Sequence, residues 1–319
     1  ARAHALYRAL FEGVADVIAG KHLLIVPSGP LSQLPFQVLL SAPADPELAG
    51  AEALRQAHWL IRDHAITVLP SVAALKALRG RGQASGASRA MIGFGNPVLD
   101  GDPARTANAL QLKLRRAAAR YRRSCERPLS QEETLLRLAG ATLGTETLGA
   151  TATIDDIRRW TPVPATGRLL CDIAADPAFA ADSAVFLADQ ATKAKLVQLN
   201  AAGELAKYRI VHFATHGVLA GQVAGIGEPG LILTPPANET PGDTGYLSAS
   251  DITGLKLDAD WVILSACNTA AGGAEGGEAL SGLARAFFYA QARALLVSHW
   301  SVYEEAAVEL VGDATRASV

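Results

Sequence analysis

Apolar and polar positions alternate along this chain in two rhythms, one helical and one suited to short buried strands. Leu6, Leu10, Val14 and Ile18 recur every four residues within 3–19, which predicts an amphipathic helix that stops at Gly20. His22–Val26, Ala65–Leu69, Met91–Gly95 and Ser183–Leu187 are brief apolar runs and predict strands. Between them, Leu31–Leu40 predicts a short helix with Pro35 near its start, and residues 41–57 form an Ala/Pro-rich loop. Pro70 and Ser71 open a helix running to about Leu78, with Ser71 as its N-cap, and a Gly/Ser/Arg loop follows over Gly80–Ser88. Asn96-Pro97 ends the third strand. Further helices are expected over Thr166–Asp176 and Lys193–Leu199, with a short one before Tyr208.

The two most continuous apolar runs come later, at Ile210–Ala214 and Trp261–Leu264. Runs of this kind suit central parallel strands covered on both faces. Between them, Gly217–Gly230 reads as a glycine-rich loop, and Gly230–Thr234 as a hairpin strand paired with the Gly245–Leu247 region. Ser248 and Asp251 then cap a short helix ending near Leu255. After the second run, Ser281–Gln291 predicts a helix with Leu283, Ala284, Phe287 and Phe288 on its apolar side. Ala294–Ser298 is the next strand and Val302–Gly312 the last helix. Strands alternating with helices in this way predict an α/β fold: a mostly parallel sheet with helices on both faces.

Each of the two strongest runs ends in a reactive side chain, His216 followed by Gly217, and Cys267. In an open parallel sheet the carboxyl ends of strands are where ligands bind. The residues lie 267 − 216 = 51 positions apart, with the His first, which is the order and spacing of caspase-type cysteine peptidases. A thiolate is the nucleophile such chemistry needs, and an imidazole can take the thiol proton and return it to a leaving amine. Gly217 lacks a Cβ, so its backbone N–H can come close to a developing oxyanion. Taken singly, a Cys or His behind a buried strand is commonly a packing or hydrogen-bonding residue; it is the joint pattern that points to catalysis.

Composition changes this picture little. The 319 residues are 50% hydrophobic and 19% charged, and the net charge of −2 gives no overall pull towards nucleic acid or an anionic membrane. No apolar run has the length of a membrane span, and no signal peptide is recognisable. The cysteines, Cys125, Cys171 and Cys267, have no metal-site spacing, and their odd, sparse count suits a reducing compartment, hence the cytoplasm. The chain starts at Ala1 rather than Met, as expected of a piece of something longer. Lys113, Arg115, Arg116, Arg120, Arg122 and Arg123 make 105–127 strongly basic. They form no one-sided stripe, so a solvated insertion helix is favoured over a nucleic-acid surface. The glycine-dense Gly272–Gly277 loop lacks the lysine and hydroxyl of a phosphate cradle and is better read as a loop beside the nucleophile.

With these motifs in view, the chain resembles the CHAT domain family, a caspase- and separase-like module often found after tetratricopeptide repeats in bacterial proteins. The resemblance rests on LLIVPSGPLSQLPF within His22–Leu40, TVLPSVAAL within Ile66–Leu75, GFGNP at Gly93–Pro97, VHFATHG within Tyr208–Gly217, and Leu247–Asp251. It continues through ADWVILSACN at Ala259–Asn268 and GEALSGLARAFFYAQARALLVSHWS at Gly277–Ser301. The matched stretches leave out roughly 100–160. The chain also departs from the family between Trp160 and Asp176, and lacks a further aromatic-containing strand after the last helix.

The resemblance implies a three-layer α/β/α caspase-like fold, with residues 1–20 as a helix or linker from an upstream helical module. Residues 21–319 would then be the peptidase domain, with an insertion at about 100–160 and an end that stops short. It also implies a cysteine endopeptidase with Cys267 as nucleophile, His216 as general base and Gly217 in the oxyanion hole, working on proteins in a regulated bacterial signalling or defence pathway. The alternative is a catalytically silent scaffold for protein–protein interaction. No metal or organic cofactor is implied. Expected partners are a protein or peptide substrate and either upstream tetratricopeptide repeats or an activating protein, with no nucleic acid and no membrane segment. Trp300, Glu304 and Glu278 are the candidate substrate-pocket residues, and the acids there, with Glu275, would favour a basic side chain before the scissile bond.

Overall fold

The computed structural model describes residues 2–69, 71–72, 75, 85–100, 125, 153–180, 182–221, 227–238, 240–265, 278–297 and 313. The chain forms two compact units, 1–82 and 83–319.

In the first unit, helix α1 (Arg2–Phe11) is followed by a 3-10 turn at Glu12–Val14 and helix α2 (Ala15–Ile18). The single helix expected over 3–19 is therefore broken, at a glycine-containing turn. The break changes which side chains are covered: Tyr7, Leu10, Phe11 and Ile18 pack on a core of Leu23, Phe36, Leu39 and Leu60, while Leu6 and Val14 are 40% and 42% exposed. Strands β1 (Leu23–Ile25) and β2 (Ile66–Val68) pair in parallel as a two-stranded sheet. The helix expected over Leu31–Leu40 is instead two 3-10 turns, Gly29–Gln33 and Phe36–Val38, because Pro35 interrupts the run. Part of the expected 41–57 loop is helix α3 (Gly50–Gln56), since Ala, Glu, Leu, Arg and Gln beyond Pro46 are all good helix formers. Helix α4 (Leu60–Asp63) leads into β2. The helix expected from Pro70 lies largely outside the described residues.

Among the described residues, the second unit is built on five parallel strands: β3 (Arg89–Pro97), β4 (Ser183–Ala188), β5 (Tyr208–Ala214), β9 (Trp261–Leu264) and β10 (Ala294–Val297), in the order β10-β9-β5-β3-β4. Helix α5 (Ile154–Arg158) precedes helix α6 (Pro164–Ala174), and α6 lies on one face of the sheet. There Leu169, Leu170 and Ile173 pack on Met91, Ile210, Ala214 and Ile263. Gly93 and Gly95 permit this close approach: a Cβ at either would lie 2.7 Å from Leu170. On the opposite face lie helices α7 (Lys193–Ala201), α8 (Ala249–Thr253) and α9 (Glu278–Tyr289). They bring Leu196, Ile252, Leu283 and Phe287 onto Ile92, Phe94, Val211, Phe213, Val262 and Leu264. The result is the expected three-layer α/β/α arrangement, consistent with a caspase-like fold.

The strand order has a consequence for function. From β3 the chain moves to β4 by way of α6; it then returns across β3 to β5, β9 and β10 by way of helices on the other face. Crossovers of one hand require this change of face when the direction reverses. β3 and β5 are neighbours whose chains leave to opposite faces, and a crevice forms beyond the carboxyl ends of such a pair. A small antiparallel sheet, β6 (Gly217–Val218), β7 (Gly230–Ile232) and β8 (Tyr246–Ser248), follows directly from the end of β5. It contains the expected hairpin, and its first strand takes up the start of what the sequence suggested was loop. Thr234, just beyond β7, fastens this layer to the main sheet: its hydroxyl accepts from Val98 N and donates to Ala188 O.

Cys125 and Cys171 form a disulfide. This differs from the unpaired thiols expected of a reducing compartment, and a sequence separation of 46 gave no hint of it. With that pair bonded, Cys267 is the one cysteine of the three outside it.

Candidate active site

His216 stands two residues beyond β5, at the start of the small sheet. Its position is fixed from both sides. Ile232 N donates to the His216 carbonyl at 3.0 Å, and the Thr215 hydroxyl beside it donates to Ile232 O. On the side-chain end, His216 Nε2–H donates to the Thr161 carbonyl at 2.6 Å, and the Trp160 ring lies 5.2 Å away, centroid to centroid. A carbonyl can only accept, so the proton sits on Nε2 and Nδ1 is the basic nitrogen. Burial pushes the His216 pKa below its ordinary value, with the Thr161 bond opposing part of that shift. The neutral imidazole, the form that can take a proton, is therefore favoured.

The Thr161 carbonyl is held between two helices. Thr153 and Asp156 form a capping box at the start of α5, and Arg158 donates to the Pro236 carbonyl at 2.6 Å. On the other side, the Thr166 hydroxyl at the start of α6 donates to Val163 O and accepts from Asn96 N at the end of β3. Trp160 itself is 6% exposed in a cluster with Leu99, Ile157, Val218, Ile232 and Tyr246. A main-chain carbonyl has no sequence signature, which is why only the fold identifies this partner of His216.

Gly217 lies opposite Leu231, flanked by the bond from Ile232 N to His216 O. In an antiparallel ladder this is the position whose N–H points away from the paired strand. The Gly217 N–H is thus not used by β7.

β5 and β9 are adjacent and parallel, with Phe213 opposite Leu264, and neither is at the edge of the five-stranded sheet. The carboxyl ends of β5 and β9, which precede His216 and Cys267 in the sequence, therefore lie at the same sheet edge. Cys267 itself, Trp300 and Glu304 lie outside the described residues. Glu278 is the first residue of α9, and its side chain is likewise outside them. The basic 105–127 segment, the Gly272–Gly277 loop and the final helix are also outside, apart from Cys125 and Asp313. Among the described residues, no three His, Cys, Asp or Glu side chains converge as a metal site, and no helix is long and apolar enough to cross a membrane.

Two polar residues that the sequence did not single out meet just inside this edge. His212, in β5, is fully buried, and its Nε2 lies 2.7 Å from the Ser265 hydroxyl at the end of β9. Only the strand pairing brings them together.

No curated protein and no solved structure matches the chain at a significant level. The model of one family does, the CHAT domain, over residues 1–317. With that match covering essentially the whole chain, and with a parallel α/β/α core of the caspase-like kind, the chain belongs to the CHAT domain family.

Proposed function

We propose that this protein is a cysteine endopeptidase working through His216 and Cys267. The observation that carries the reading is the bond from His216 Nε2–H to the Thr161 carbonyl, which leaves Nδ1 as a neutral base at the edge shared by β5 and β9.

The steps follow from these groups. The Cys267 thiol gives its proton to His216 Nδ1, and the thiolate attacks the scissile carbonyl carbon, forming a C–S bond. The Gly217 N–H, unused by the hairpin, supports the oxyanion. As the tetrahedral intermediate collapses, the C–N bond breaks and His216 passes its proton to the leaving amine. Water, deprotonated by His216, then hydrolyses the thioester, releasing a carboxylic acid and restoring the thiol. Trp300, Glu304 and Glu278 remain the proposed lining of the substrate cleft, with a preference for a basic residue before the scissile bond.

The test is incubation with a proteome-derived peptide library, with new termini read by mass spectrometry. New termini that vanish in Cys267→Ala support the reading; termini that persist in that variant, or none with the wild type, favour the interaction scaffold. Because burial lowers the His216 pKa, the acid limb of kcat/KM is expected below pH 6.5. An acid limb above pH 7 would contradict a His216 pKa lowered by burial.

A further inference from the structure

His212 and His216 sit on one strand, four positions apart, and only the second has a role in the mechanism above. His212 lies within β5, opposite Gly93 on one neighbouring strand and Ile263 on the other, and none of its surface is exposed. It cannot meet a substrate there. Hydrophobic side chains occupy the positions on either side of it, Val211 and Phe213, as well as Ile210 and Ala214 beyond. An imidazole in such a place needs a reason.

Its one hydrogen-bond partner among the described residues is the Ser265 hydroxyl, 2.7 Å from Nε2; Nδ1 has none. A buried N–H without an acceptor costs more than a buried lone pair without a donor. The proton therefore belongs on Nε2, donated to Ser265 Oγ, with Nδ1 left bare. This tautomer leaves the Ser265 hydroxyl hydrogen free to donate elsewhere. Ser265 is also held through its backbone, whose N–H donates to Phe213 O at 3.0 Å. It is thus tied twice to β5, at the point where the chain leaves β9, two residues before Cys267.

We propose that His212 and Ser265 form a positioning pair that sets the direction in which the Cys267 segment leaves the sheet, and so aligns the thiol with His216. The inference rests on the dyad reading above. His212 acts only through Ser265, and Ser265 only through the chain that follows it. The geometry explains a polar pair in an apolar layer: a leucine in place of His212 would fill the space, but it would leave the Ser265 side chain without its partner and the exit of β9 held by the backbone alone.

The experiment is alkylation of Cys267 by iodoacetamide as a function of pH, followed by mass spectrometry of the peptide that carries it. It needs no substrate. An unassisted thiol reacts with an apparent pKa of about 8.5. The wild type is expected to react faster than that below pH 8, and His216→Ala to revert to the free-thiol curve. His212→Leu and Ser265→Ala are expected to lose about tenfold in rate at pH 7, yet to match the wild type at pH 10, where the thiolate is fully formed and only access matters. His212→Gln, whose side-chain amide can donate from a position close to Nε2, is expected to recover most of that loss, and the double variant His212→Leu/Ser265→Ala to be no slower than either single one. Ser265→Ala removes a single hydroxyl, so it keeps the test open if His212→Leu does not fold. A perturbed wild-type curve unchanged by His212→Leu and Ser265→Ala would overturn the positioning pair alone, as would a change of equal size at every pH. A wild-type curve already matching a free thiol would overturn the dyad and the pair together.

Discussion

The interior of β5 and its mouth carry the same side chain in opposite circumstances. His212 is enclosed between the α6 layer and the neighbouring strands, and burial alone pushes its pKa down to about 3. His216 is only partly buried, is lowered as well, and has a carbonyl on one nitrogen that fixes its tautomer. Both are neutral at pH 7 because burial disfavours the imidazolium, but they have different uses. The first has its hydrogen bond turned sideways, to the next strand; the second has a basic nitrogen left over at the sheet edge. The lesson is that a histidine's environment, more than its presence in a motif, decides whether it can do acid–base chemistry.

The largest effect expected at the mouth is on turnover. His216→Ala and Cys267→Ala should each lower single-turnover cleavage of a library-derived peptide by about a thousandfold or more, and the double variant should lose little further, since the two act as one unit. Additive losses would separate them. Trp160→Ala, which removes the ring beside His216 and opens the cluster around it, should cost about 3 kcal/mol in urea denaturation and roughly tenfold in kcat. A stability loss with kcat unchanged would mean the ring supports the cluster but does not orient the imidazole.

The interior is probed through stability. The folded protein keeps His212 neutral to about pH 3, whereas the unfolded chain protonates it near 6.5. The stabilising contribution is therefore fully present above pH 6.5 and is lost as pH falls towards 3, by at most about 1.4 kcal/mol per pH unit. Between pH 7 and pH 5 the wild type should lose about 2 kcal/mol more than His212→Gln, as measured by chemical denaturation; equal losses would remove His212 as the source. The smallest effect belongs to neither region. Arg168 and Asp172 pair at 2.9 Å on the exposed side of α6, and Arg168→Ala should change stability by less than about 0.5 kcal/mol. A larger loss would mean that this helix, which ends the segment holding Thr161, is more sensitive than its buried face suggests.

Sequence by itself determined the architecture of the second unit. Near-continuous apolar runs such as Ile210–Ala214 and Trp261–Leu264 can only be buried on both faces, so a parallel sheet between two helix layers was legible, as were the capping box at Ser248 and the hairpin from Gly230. It was less reliable in the first unit, where helices are short: a spacing of four drifts around a helix of 3.6 residues per turn, and Leu6 and Val14 ended up exposed. What only the tertiary structure decided is who meets whom. The Thr161 carbonyl, 55 positions from His216, and Ser265, 53 positions from His212, are partners set by strand order and by where α6 begins, and neither has a side-chain pattern that sequence could reveal. The same holds for Cys125 and Cys171. Local periodicity encodes which face of an element is covered; partners across the fold depend on register and on crossover direction, which no single segment contains.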